Sequence, residues 1–523
     1  MHTRYLILPL LLTVCLASCG DDGDPTGPIV EPVAHLSRPI DGSYSSVSDS
    51  ITLSAYVLTD EGRVEGAAVS WRSDRDGLLA SGRTDEQGYV EKTVPPLTRG
   101  THQISLTATV ASIVTIHDTA TLHNILPARV QITDAERSAD GIALAWTTSG
   151  EAGFAHYALR RWVDAEGYDE SVLLAVFDDP ATTAASDDLP PIVEAAHYAV
   201  EVVLEDGLAA ESPTATVDQP CGPVFAWYPY DAVIHPTEPY IYISERYNFF
   251  ATSRLVAVNY LTWETFGSVN YDHQLNFMDL ADNGMGLELY VAHADSGLSV
   301  LDPLTLAEIE RLDTGYAGVY SSASDGLGHV WITVDVQPSV RCYDRNGWQL
   351  LSSAGYHGLR LRKVPGALEL LGVQTSVFPP SMEHIAFAAD GSITALSYCP
   401  NPYGVSPYCL RIDPTGGYLL TNDWAYEPGP ELPVIGQLPA PDDRYYDFAF
   451  DDDGATIYAA ERETPAAAVI AYPALTRTGS IPLCGYPLKL FRQDQYLIAI
   501  CRTKDTDGGT IFAVDVARVS PGD

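Results

Sequence analysis

Beyond its first twenty residues the sequence has no uninterrupted apolar stretch near the ~18 residues that mark a membrane-spanning helix, so a second span is excluded. Basic residues are scarce, with 29 Lys plus Arg against 69 Asp plus Glu and a formal net charge of −40. A surface this acidic repels phosphate backbones and anionic headgroups, which excludes nucleic acid as a partner. The acidic residues are dispersed through β-patterned segments, so they read as a soluble, self-repelling surface, and divalent-cation binding is a secondary reading. Motifs for common chemistry are also missing. No Gly-x-Ser-x-Gly elbow, His-Glu-x-x-His pair, phosphate loop or dinucleotide fingerprint occurs. No cysteine stands in a C-x-x-C or His-Cys ligand spacing, so the pattern offers no zinc site, and no cofactor is implied. Methionine numbers only 4, while Tyr reaches 30, Gly 41 and Pro 36, a mixture that favours strands and turns over helices.

What is present starts with MHTRYLILPLLLTVCLASC. Arg4 supplies a positive beginning, and Tyr5 to Leu16 form an apolar run of about a dozen residues, the length of a signal-peptide core. Leu16-Ala17-Ser18-Cys19 resembles the lipobox of bacterial lipoproteins: an aliphatic residue, two small ones, then the modified cysteine. The resemblance implies cleavage before Cys19, a diacylglyceryl group on its thiol and acylation of its freed amine. Each buried methylene is worth about 0.8 kcal/mol and one chain holds only marginally, so two or three chains anchor firmly. Cys15 competes poorly, because Leu12-Thr13-Val14 lacks the small residue needed at the cleavage point. The acidic, Gly/Pro-rich segment Gly20 to Pro28 follows, and residues 19–33 read as a flexible tether. The expectation is a lipid-anchored protein of the bacterial cell envelope, outside the cytoplasm, with the outer membrane or cell surface favoured.

With Cys15 removed and Cys19 lipidated, Cys221, Cys342, Cys399, Cys409, Cys484 and Cys501 remain. An even number in an exported chain suggests disulfides. Cys399 and Cys409 flank a short Pro/Gly-rich loop that would bring them together, and Cys484 would face Cys501 across neighbouring strands. Cys221 and Cys342 are then left, either paired or free.

Three regions follow the tether, and all three read as β-structure. Residues 34–125 alternate apolar and polar at Ile51 to Val57 and His102 to Val110, with turn signals between. The stretches Val69-Ser70-Trp71-Arg72-Ser73 and Gly100-Thr101-His102-Gln103-Ile104-Ser105-Leu106 resemble the core and late strands of bacterial immunoglobulin-like domains of the invasin and PKD type. His102 reads as a strand residue rather than a ligand. Residues 127–217 resemble a fibronectin type III domain, with Trp146 in the second strand, Tyr157-Ala-Leu-Arg-Arg161 in the third and Tyr198-Ala-Val-Glu-Val202 near the end. That resemblance makes Trp146 and Tyr198 core residues of a seven-stranded sandwich. Residues 221–523 repeat a strand pair, clearest at Leu289 to His293 and Leu298 to Leu301. Copies lie at Ile241 and Leu255, Val330 and Val340, Ile457 and Val469, and Tyr496 and Ile511. Adjacent copies are about 40 residues apart, the period of a four-stranded propeller blade. The pattern resembles YVTN-type β-propellers and implies about seven blades, or six, with degenerate copies around 357–440. Little chain remains after the last copy, so Pro223 to Trp227 is expected to supply the missing outer strand and close the ring. The fold class is therefore all-β: two tandem β-sandwiches followed by a β-propeller.

Two kinds of function stay open. In the first, the sandwiches are a stalk and the propeller binds a protein or glycan. In the second, the propeller channel houses a hydrolase or lyase of lactonase-like kind. A channel enzyme requires at least three His, Asp, Glu or Arg side chains converging at one mouth, whereas a binder requires an exposed aromatic patch. His235, His273, His293 and His384 fall in the repeats and read as strand or loop residues. Asp451-Asp452-Asp453-Gly454 and Asp505-Thr506-Asp507-Gly508 read as hairpin turns rather than calcium loops, because the spaced oxygen ligands and distal Glu are missing.

Overall fold

Every regular element among the described residues is a strand. The computed structural model describes residues 32–519 apart from 60–61, 111–113, 139–140, 164–170, 226, 248–251, 296, 316–317, 356–357, 375–380, 400–404, 440–443 and 504–510. Among the described residues it holds 45 β-strands and no helix. Cys15, Cys19, nearly all of the tether and Asp505 to Gly508 lie outside the described residues. The chain divides into two compact units, Met1–Arg129 with Asp206–Ala210 and Val130–Glu205 with Glu211–Asp523.

In the first unit one sheet contains Val33–Arg38, Ile51–Thr59 and Tyr89–Val94. The other orders Ser43–Ser46, Val114–Leu126, Gly100–Val110, Ala68–Ser73 and Gly77–Arg83. Period-2 alternation turns Ile51, Leu53, Ala55 and Val57 of one sheet and Val69, Trp71, Ile104 and Leu106 of the other into a single core. His102 belongs to that interior. Its Nδ1 meets Ser73 Oγ at 2.8 Å and its Nε2 the Thr98 carbonyl at 2.7 Å, so both ring nitrogens are occupied by the strand's own surroundings.

The second unit opens with two smaller sheets. Ile132–Ser138, Gly141–Trp146 and Ala184–Asp187 form one, and Val172–Phe177, Phe154–Val163, Ala195–Leu204 and Ala215–Asp218 lie in the other. Trp146 packs on Tyr157 and Phe177 of the facing sheet, with ring centroids 5.8 and 5.7 Å away. The buried Tyr198 hydroxyl donates to Asp187 (2.8 Å), whose same oxygen takes Arg161 at 2.6 Å.

From Val224 onward the described strands form seven four-stranded antiparallel sheets, the blades of a β-propeller. Blades 1 to 7 begin with Tyr228–Ile234, Leu275–Asp282, Val319–Ser324, Leu359–Lys363, Leu410–Ile412, Phe448–Phe450 and Tyr486–Gln493. First strands of successive blades abut one another, and fourth strands such as Glu308–Asp313 and Thr476–Pro482 are largely exposed. The first strands therefore line the axis and the fourth form the rim. The repeated pair seen in the sequence is the second and third strand of each blade. The degenerate stretch resolves into blades 4 and 5.

Seven apolar clusters hold the ring, each shared by two successive blades. The last joins blade 7 to blade 1 through Ile498, Val514, Ile241 and Val258. The outer strand of blade 7 comes from the start of the region. Val224 pairs with Ala513 and Phe225 with Phe512, as expected. Gly222 (φ +142°) precedes this strand so closely packed on the Val514 carbonyl that a Cβ would sit 1.8 Å from its oxygen. Only glycine fits there.

Candidate functional site

The starts of the first strands carry two layers of polar side chains around the axis. Near the start of six of the seven first strands lies a layer of charges: Asp231 from blade 1, Asp279 from blade 2, Arg360 and Arg362 from blade 4, Arg411 from blade 5, Asp447 just before the first strand of blade 6 and Lys489 from blade 7. Asp231 accepts from Arg360 at 3.1 Å and from the Met278 N–H at 2.9 Å, with Lys489 Nζ 3.8 Å away. Burial alone would raise its carboxyl, but Arg360, Lys489 and Arg362 outweigh that and hold it below the ordinary value. Asp447 takes both arms of Arg411 (2.8 and 2.6 Å) and the Leu490 N–H (3.1 Å). Its acidity follows the same balance, with burial opposed by Arg411 and Lys489.

Burial, then the neighbouring Arg360, pushes Lys489 down to about 8. Arg362 is pushed down to about 9, by burial first and then Arg360. Among the described residues no hydrogen bond or ion pair engages the Arg362 side chain, and it stays in touch with solvent. Asp279 also reaches solvent, with one oxygen accepting the Ser324 N–H at 2.8 Å; burial raises its carboxyl.

Above the charges is a tyrosine layer. Tyr228 and Tyr230 open the first strand of blade 1, Tyr408 and Tyr446 precede those of blades 5 and 6, and Tyr486 opens that of blade 7. Tyr230 meets Phe277 of blade 2 (5.2 Å between centroids) and Tyr408 from across the ring (6.0 Å). The Arg246 guanidinium lies 3.2 Å over the Tyr230 ring and is pinned by the Leu275 carbonyl and Asn276. From below, Arg360 stands 4.4 Å from the Phe277 centroid and donates to the Pro407 carbonyl at 2.6 Å, just before Tyr408. The axis is thus bridged by rings braced on buried ion pairs. Tyr228 and Tyr408 still leave 52% and 51% of their surface open. Burial raises the Tyr228 hydroxyl, and Tyr408 and Tyr446 add to it, so three phenols crowd one mouth. Arg502, near Tyr446 and Tyr486, completes the rim.

The cysteines depart from expectation. Cys484 bonds to Cys221, 263 residues away (Cα–Cα 6.2 Å), not to Cys501. Cys399, Cys409, Cys501 and Cys342 are buried free thiols. Cys399 and Cys409 point into different interiors, the first between blades 4 and 5 and the second between blades 5 and 6, so the loop that joins them in sequence does not join their sulfurs. Opposite Cys501 in register stands Pro487, which places Cys484 beyond the end of the shared ladder. There it reaches Cys221, ahead of the ring-closing strand.

Of the four propeller histidines, His235 caps a turn by accepting the Thr237 and Glu238 N–H groups, and His384 lies 3.2 Å from Glu369. His273 and His293, twenty residues apart, are brought into direct contact. Asp451 to Gly454 form a turn, in which Gly454 N–H donates to the Asp451 carbonyl and Ala455 N–H to Asp453. The axial charges were missed in the sequence, although Leu359-Arg-Leu-Arg362 carries the signal: charges alternating with leucine where a solvent-facing strand would carry mixed polar residues.

No protein-family model matches the sequence, and no curated protein matches it. Solved structures are similar over part of the chain. Kuenenia stuttgartiensis hydrazine synthase is 16% identical with a TM-score of 0.42, covering 56% of this chain and 96% of that one. The RRP9 WD40 repeats are 8% identical (TM-score 0.42), covering 56% of this chain and 95% of theirs. The β-propeller domain of Myceliophteria thermophila Cps50 (Swd1) is 11% identical (TM-score 0.40), covering 56% and 98%. What makes this chain a β-propeller protein is its own ring of seven blades, closed by Val224 and Phe225.

Proposed function

We propose that the chain is a binding protein whose propeller captures a glycan at the tyrosine-lined mouth. The observation that carries this reading is the pair of half-open rings, Tyr228 and Tyr408, set on a rigid base and flanked by Arg246 and Arg502. Aromatic faces stack on the apolar faces of sugar rings, and guanidinium groups donate to their hydroxyls or carboxylates. The base is already rigid, so little side-chain entropy is lost on binding.

The alternative, a hydrolase or lyase in the channel, has less support. Charged groups do converge, but Asp231 and Asp447 are committed to Arg360 and Arg411 and to backbone N–H groups. In the same reading the lipid on Cys19 and the immunoglobulin-like and fibronectin-like regions form the anchor and stalk that display the propeller. Loss of labelled palmitate incorporation in Cys19→Ala, and release of the propeller when intact cells are shaved with protease, are the expected results.

Binding is tested by screening the purified chain on immobilised acidic and neutral glycans, followed by calorimetry. Tyr408→Ala is expected to weaken the affinity about tenfold, in line with about 1.4 kcal/mol for a stacked ring. Undiminished binding by a Tyr228→Ala/Tyr408→Ala variant would remove the mouth from consideration. Retention of peptides but no glycan would move the ligand to the protein class.

A further inference from the structure

Blade 2 carries a second polar centre, apart from the axial charges. His273 lies in the connection into its first strand, His293 ends its second strand opposite Leu275, and Asp295 follows in the next turn. One nitrogen of each imidazole and a carboxylate oxygen of Asp295 lie within 4.8 Å of one another. His273 Nε2 faces His293 Nδ1 directly.

The remaining hydrogen bonds assign the protons. Ser299 Oγ donates to Glu308 at 2.6 Å, so toward His293 it can only accept. The 2.9 Å contact therefore has His293 Nε2–H donating to Ser299, which leaves the lone pair on Nδ1. At the other ring, His273 Nδ1 donates to Asp272 at 2.9 Å, while Asp295 stands 3.3 Å away and 3.4 Å from Arg311. Its Nε2 then presents a lone pair to that of His293. Two lone pairs facing each other repel unless a proton or a metal ion lies between them. His293 is fully buried. Each imidazole thus has its outer nitrogen fixed by a carboxylate, in one case through a serine, the arrangement that orients metal-bound histidines.

We propose that His273, His293 and Asp295 bind one divalent ion of the zinc, cobalt and nickel class. Two imidazole nitrogens and one carboxylate suit such ions, whose ligand atoms stand about 3.4 Å apart when tetrahedral, so modest side-chain rotation closes the set. The partly exposed Asp295 side leaves a fourth position for water. Tyr271 flanks both rings, 5.5 and 5.1 Å from their centroids, and shields the site laterally.

The test uses the full chain, stripped with a chelator and titrated with cobalt(II) at pH 7.5. The expected result is a visible d–d absorption band that saturates at one equivalent and disappears on adding zinc. His273→Gln and Asp295→Asn, both at partly exposed positions, are expected to retain the far-UV circular dichroism of the parent and to lose the band. Absence of a saturable band in the parent, or a band unchanged in both variants, would overturn the site. A band that survives both variants but falls when the buried thiols are blocked would assign the cobalt to cysteine and equally overturn it.

Discussion

Removing the Cys221–Cys484 bond offers the sharpest test of how the ring is held. In the closed ring, the outer strand of blade 7 consists of two residues, Val224 and Phe225, paired to Ala513 and Phe512. Burial of Phe225 contributes about 2 kcal/mol, and the short ladder adds about 1 kcal/mol per hydrogen bond. The disulfide closes a span of 263 residues, and restricting so long a loop in the unfolded chain is worth on the order of 5 kcal/mol in the chain-entropy account. The covalent link is therefore larger than the strand it secures. A Cys221→Ala/Cys484→Ala variant leaves no odd thiol. Its free energy of local opening at Phe512–Arg518 is expected to fall by about 3 kcal/mol, which amide exchange reads as a rate increase of roughly a hundredfold in that strand. Exchange in His329–Val334 of blade 3, on the far side of the ring, should change much less. Equal protection of both strands in the variant and the parent would refute the reasoning, since the closing strand would then be secured without the bond.

Two further outcomes concern the axial charges. Asp447→Ala strands Arg411 in the interior and is expected to cost about 3 kcal/mol by denaturant titration, whereas the apolar pair Asp447→Leu/Arg411→Met recovers much of that loss. Asp231 and Asp447 have folded-state carboxyl values below the ordinary one. Their stabilisation is complete above about pH 4 and is lost as pH falls through those lowered values, so the propeller's unfolding midpoint should drop on acidification below pH 4, and the slope should flatten in the apolar double variant.

Much of the fold was legible because it depends on local pattern. Alternation at Ile51 to Val57 and the Tyr290-Val291 strand followed by Val300-Leu301 report which face is buried, and a period near 40 residues reports the blade. Blade 5 was harder to read because its second and third strands hold only three residues each, and the charges Arg360 and Arg411 were missed because their partners lie on other blades. The same cause hid the candidate sites. Tyr228 and Tyr408 stand 180 positions apart, and the tyrosine mouth exists only once the ring has brought them together. His273 and His293 are one strand pair apart, and their meeting depends on the register that sets His293 opposite Leu275. The cysteine pairing failed for a related reason: proximity along the chain suggested Cys399 with Cys409, whereas packing sends the two thiols into separate inter-blade interiors.

Because Val224 and Phe225 complete a blade whose other three strands come last among the described strands, a chain cut short ahead of them cannot finish the ring. A product that stops before Phe512 lacks both the partner of Phe225 and the final inter-blade interior, and it keeps an unpaired sheet edge at each end. The topology therefore distinguishes whole molecules from incomplete ones: the earliest propeller strand waits, unpaired, through nearly 300 residues of synthesis for the strand that ends its exposure.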